Sequence, residues 1–221
     1  MLNKKIVGLA VLLVAGGTAS YASTITLVGP DPNKTYQQTT NNPCVIGDNS
    51  CKNPAGFGET DLGAGNVNSY TNIASPTYTV SQIKGVTNSN FFWVGIDINQ
   101  ATGQPDQTLD YFAMKVNGVV VDLFSSSPAT PVPASNNGNG WADYLLKTFN
   151  LTGFAATDTA QFIMDMPVAN DGAEQFFLIG VTPDGVPTQQ SAVPEPGTLV
   201  LLGSGLAGLA GLVRRRMTSH N

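Results

Sequence analysis

Histidine is almost missing from this chain: of its 221 residues only His220 is one, and it lies in the far tail. Arginine is confined to Arg214, Arg215 and Arg216, and cysteine to Cys44 and Cys51. Each scarcity excludes chemistry. Without a histidine in the body of the chain, Ser-His-Asp and Cys-His catalysis and histidine-containing zinc sites fall away. No glycine-rich loop carries the Lys and Ser/Thr of a phosphate cradle. There is no internal repeat of about 20–50 residues, and no long amphipathic helix outside the ends. Between those ends the chain keeps five lysines against fourteen acidic residues, a net charge of −9. Such a surface repels phosphate backbones, so nucleic acid is not an expected partner.

The two ends read as handling signals. Residues 1–22 have the order of a secretory signal peptide: Lys4 and Lys5, an apolar run over Ile6–Ala15, then small Ser20 and Ala22 before a cut ahead of Ser23. That run is too short to span a bilayer, which takes about 20 apolar residues. Residues 23–193 form the exported domain, enough chain for one core. Residues 194–221 make a second signal. Pro194-Glu195-Pro196-Gly197 forces extended backbone. The following Gly- and Ala-rich apolar segment, Thr198–Val213, is a marginal transmembrane helix of about 24 Å against a hydrocarbon core of about 30 Å. Arg214–Arg216 would hold its end in the cytoplasm.

The stretch Val193-Pro194-Glu195-Pro196-Gly197-Thr198, the apolar helix and the arginine cluster together resemble the PEP-CTERM sorting domain. The resemblance covers about the last 25 residues. It implies an exported protein that is cut by an exosortase-type membrane enzyme near Pro-Glu-Pro. It also implies a transient stay in the inner membrane, then display on the outer surface or in the extracellular matrix of a Gram-negative bacterium that makes exopolysaccharide. The resemblance says little about the exported domain.

That domain reads as all-β. Tyr111–Phe124 is a hairpin around Asn117-Gly118, a pair suited to a type I′ turn. Pairing outward sets Val116 against Val119, Met114 against Val121 and Phe112 against Leu123, all apolar and on one face. Further strand-like runs are Thr24–Val28, Thr77–Lys84, Ser89–Ile98, Trp141–Asn150, Ala160–Met166 and Glu174–Val181. About eight strands with Gly, Pro, Asn and Ser turns argue for a β-sandwich, with a jelly roll as one form of it. Residues 29–76 and 125–140 read mostly as loop. In an exported chain an even cysteine count suggests a disulfide. Cys44–Cys51 would close a short loop, stabilising by about 2.5 kcal/mol; a metal pair would need further soft ligands.

Three functions compete. The expected one is a non-enzymatic, structural or adhesive role in the exopolysaccharide layer. The alternative is a carbohydrate-binding module. In Ser89–Ile98 the face away from the core carries Phe91, Trp93, Gly95 and Asp97. Gly95 would leave a gap beside Trp93 in which a sugar ring could stack, with Asp97 accepting a hydroxyl. Trp141 is a second candidate. The third class is a secreted glycan hydrolase using a carboxylate pair such as Glu59/Asp61, Asp106/Asp110 or Asp171/Glu174. No cofactor is expected, although the oxygen-rich stretches beginning at Asp97, Gly47 and Asn170 leave room for a structural calcium.

Overall fold

A computed structural model describes residues 22–63, 68–100, 104–135, 140–169 and 172–188. The expected signal peptide up to residue 21, the Pro-Glu-Pro motif, the expected terminal helix and the arginine cluster lie outside the described residues. The strands are β1 (Ser23–Thr24), β2 (Thr26–Val28), β3 (Cys44–Gly47), β4 (Thr60–Asp61), β5 (Tyr70–Ala74) and β6 (Tyr78–Thr79). After α1 (Val80–Thr87), the one helix among the described residues, come β7 (Phe91–Asp97), β8 (Thr108–Val116), β9 (Val119–Pro131), β10 (Tyr144–Asn150), β11 (Thr159–Met166) and β12 (Gln175–Val181).

They form two sheets. One runs β1-β9-β8-β11-β5, with β6 also on β11; the other runs β2-β10-β7-β12-β3-β4. Among the longer strands the pairing is nested, β3 with β12, β5 with β11, β7 with β10 and β8 with β9. That is the scheme of a long hairpin rolled into the two sheets of a jelly roll. The alternation along β7 explains how the sheets meet. Phe92, Val94 and Ile96 are fully buried and point at the opposite sheet. Phe92 stacks on Phe149 of the neighbouring strand at 5.0 Å and meets Phe162 of the opposite sheet edge-on at 6.1 Å, while Phe112 stacks across the sheets on Phe176 at 5.4 Å. Each such pair adds about 0.5–1.5 kcal/mol to the burial itself.

The Asn117-Gly118 turn forms with both residues at positive φ, 50° and 80°. The register beyond it is corrected. Val116 faces Val119 and Lys115 faces Val120, but a bulge then sets Met114 against Asp122 and Phe112 against Phe124. The extra residue turns a carboxyl onto the core side. Asp122 is 3 % exposed, and its carboxyl accepts a short hydrogen bond from Ser23 Oγ. Burial raises its pKa, partly offset by that bond.

One other expectation is overturned, and the two loop readings are refined. Only Tyr78–Thr79 of the 77–84 run pairs as strand; Val80–Thr87 is helix. Thr79 caps it, its side chain accepting from Gln82 N while Gln82 returns a bond to the Thr79 backbone. Val80, Ile83 and Thr87 then share its buried face. Residues 29–76 are mostly loop among the described residues, as expected, but carry three short strands, including the fully buried Cys44–Gly47, which long-range ladders hold in a turn-rich composition. Residues 125–131 extend β9, with Thr130 opposite Leu109. Pro128 and Pro131 are tolerated because β1 covers β9 only at Asp122 and Leu123, leaving this part an edge.

The register of the second sheet gives the molecule two ends. Phe91 on β7 lies opposite Asn150 on β10 and Val181 on β12, whereas Asp97 lies opposite Gln175. Both termini of the described chain sit near the first end: Thr24 O accepts from Thr148 Oγ1 at 3.1 Å, and Thr188 N donates to Gly180 O at 2.8 Å.

Candidate functional site

At the first end the outer face of the sheet carries a cleft of about 470 Å³. Trp93 of β7 forms its floor, half-buried, between Lys147 on β10 and Asp184 just beyond β12. Local backbone builds this arrangement. Leu146 pairs with Val94 and Phe149 with Phe92, so Lys147 and Thr148 together oppose Trp93 alone in a β-bulge. Thr148 takes φ 86°, a strained conformation for a β-branched residue. The bulge brings the Lys147 ammonium over the indole, 4.0 Å from the ring centroid. A contact of this kind is worth about 0.5–1 kcal/mol near solvent and is easily exchanged. Tyr36 meets the same indole edge-on at 5.9 Å.

The opposite end of the same strands is lined with buried acids. Asp143 is fully buried and well satisfied: Ile98 N donates to Oδ2 at 2.8 Å, and Ser135 N and Oγ donate to Oδ1 at 2.7 and 2.9 Å. Asp97, 5 % exposed, accepts from Gly140 N at 2.5 Å. Burial pushes its pKa up to about 7, with the Gly140 bond opposing and Asp143 and Asp48 adding. Glu174 is the extreme case. It is fully buried, and neither carboxyl oxygen has a partner in normal hydrogen-bonding geometry. Burial lifts its pKa to about 9; Gln107 opposes this, and Asp97 and Asp48 reinforce it. At neutral pH Glu174 is therefore held as the neutral acid.

The sequence-based candidates divide between these two ends. Trp93 belongs to the cleft. Asp97 lies two strand repeats away on the same face, roughly 13 Å along the strand, and is closed off from solvent. The gap expected at Gly95 is filled: a Cβ there would fall 2.6 Å from the Phe177 ring. Trp141 is half-buried and bridges Gln37 beside the acid end, at the far end of β10 from Lys147. The two indoles are thus not brought together. The stretches suggested for calcium do converge, since Asp48 and Asp97 both act on Glu174, and Asn99 packs against Gly172. Among the described residues no three His, Cys, Asp or Glu are arranged to hold a metal ion. Of the carboxylate pairs, Asp171 lies outside the described residues. Cys44 and Cys51 form the expected disulfide, with Cα atoms 6.0 Å apart.

Lys147 and Asp184 were not anticipated. A bulge within Tyr144–Asn150 leaves no mark in the sequence pattern, and Asp184 sits in an ordinary Pro-Asp-Gly turn. Among known proteins, the model of the PEP-CTERM protein-sorting motif matches residues 192–216. No curated protein and no solved structure matches the chain.

Proposed function

From the PEP-CTERM protein-sorting motif at residues 192–216, we infer that this protein works outside the inner membrane as a structural or adhesive component of an exopolysaccharide layer. The motif marks the chain as exported and directed to exosortase processing at the membrane. It is the single observation that carries the reading. In the proposed sequence, residues 1–22 are removed on export, the sorting segment is cut near Pro194-Glu195-Pro196, and the jelly-roll domain passes to the outer surface or matrix of a Gram-negative cell. The domain suits that destination: it is stapled by a disulfide compatible with an oxidising compartment. The role is non-enzymatic. Glu174, the most perturbed carboxyl, is sealed in the interior instead of facing a cleft.

Mass spectrometry of surface material tests the processing. Peptides from residues 23–188 should be found, and none from Leu199–Arg216. Recovery of that segment with the surface form would make it a permanent anchor and overturn exosortase release. A deletion strain should show altered floc or biofilm texture without loss of a glycan-cleaving activity; release of reducing sugar by the purified protein would overturn the non-enzymatic role.

A further inference from the structure

We propose that the cleft over Trp93 binds an uncharged, hydroxyl-rich glycan, stacking one pyranose ring on the indole. This rests on the placement of the protein in an exopolysaccharide layer and gives that role its contact surface.

The floor and both walls fit the ligand. An indole presents a flat apolar face, and the C–H face of a pyranose is its natural complement. The end of one flexible lysine side chain now stands over that face, and the turn after β12 borders the ring, a Cβ on Gly185 falling 3.2 Å from its Cζ2. The ammonium offers donors and no acceptor, and Asp184 across the cleft offers acceptors. A sugar hydroxyl both donates and accepts, so neighbouring hydroxyls of one ring can satisfy the two walls at once. Asn150 adds an exposed amide at the rim.

Two further observations point to a built site instead of an accidental groove. Thr148 is held at φ 86° at the cleft rim, and strain in a β-branched residue persists only where the surroundings enforce it. The bulge that creates it is also what aims Lys147 at Trp93. Bulges are commonly used to redirect a side chain beside a binding site.

Charge selects the class of glycan. The exported domain carries −9 from its side chains, so a polyuronate or sulfated polymer meets the same repulsion as a polyphosphate. A neutral polymer does not. Binding should therefore be nearly independent of ionic strength.

Affinity electrophoresis of the full chain in neutral detergent provides the test, with hydroxyethylcellulose, galactomannan, dextran and polygalacturonate as the immobilised polymers. The expected result is retardation by at least one of the three neutral polymers, unchanged between low and high salt. Trp93→Ala should weaken it roughly tenfold, and Asp184→Ala by about two- to fivefold. Trp141→Phe should leave it unchanged. Circular dichroism checks each fold, and Trp93→Phe replaces the alanine variant if that one does not fold. Retardation by polygalacturonate alone, collapsing with salt, would overturn the neutral-glycan assignment. So would undiminished binding in the folded Trp93 variant, or no retardation on any polymer. These outcomes are separable from the export reading, which stands or falls on the peptides recovered from the surface.

Discussion

The two ends of β7, β10 and β12 use the same three strands for opposite purposes. At one end an aromatic ring, a cation and a carboxylate are left within reach of solvent, and the backbone is strained to aim one of them. At the other end four acidic residues, Asp48, Asp97, Asp143 and Glu174, crowd together, three of them buried. Polar groups close the acid end into the fold. At the cleft end they face outward, free to exchange partners. The difference teaches where to look: the stronger electrostatic perturbation lies at the end sealed from solvent, and the end with modest electrostatics is the one open to a ligand.

Removing satisfied polar groups or the staple at the acid end should therefore damage stability, and substitutions at the cleft should not. The largest effect expected is Asp143→Ala. It strips the partners of Ile98 N and of Ser135 N and Oγ, and should cost about 3 kcal/mol or more by denaturant titration. Next is the staple beside Asp48. Replacing both Cys44 and Cys51 by alanine should cost about 2.5 kcal/mol, read from the same titration. Wild type without added reductant should match its unreduced value throughout.

The pH dependence sharpens the contrast further. Glu174 has a folded pKa of about 9 against an ordinary value of 4.5, and Asp97 about 7 against 3.8. Both are raised, so the folded state binds protons more tightly than the unfolded chain. Their stabilising contribution is complete below the unfolded values and is lost as pH rises through the folded ones. The melting temperature should fall between about pH 5 and pH 9. Glu174→Gln, which cannot ionise, should flatten that fall and raise the melting temperature at pH 8, by about 2–4 °C per kcal/mol recovered. A rise in wild-type melting temperature on adding millimolar calcium, absent in Glu174→Gln, would show instead that a cation joins the buried acids. The smallest effect belongs to the cleft. Thr148→Gly should relieve the φ strain and stabilise by up to about 1 kcal/mol, while loosening the hold of Lys147 on Trp93. The readout is a red shift in Trp fluorescence.

Much of the architecture was readable because it is local. Asn117-Gly118 dictates its own turn, and alternation in Phe91–Asp97 separates a core face from an outer one. Helix α1 was legible in principle: Thr79 and Gln82 spell a capping box, yet β-branched Val80 and Thr87 weigh toward strand. The bulges at Met114/Lys115 and Leu146/Phe149 were not, because each depends on what the neighbouring strand demands. Trp93 could be nominated from its position on the outer face. Its companions could not, since Lys147 and Asp184 reach it only across two strand pairings. The clustering of Asp48, Asp97 and Glu174 likewise required the fold, as two loops and the end of β7 supply them.

The placement of Thr188 has one more consequence. Its backbone amide is fastened to Gly180, and Pro194 follows only six residues later, a reach of roughly 20 Å. The sorting motif matched at residues 192–216 therefore begins close to the end of the fold that carries Trp93, and far from the buried acids. A cut near Pro194 would leave only a short tail beside the cleft.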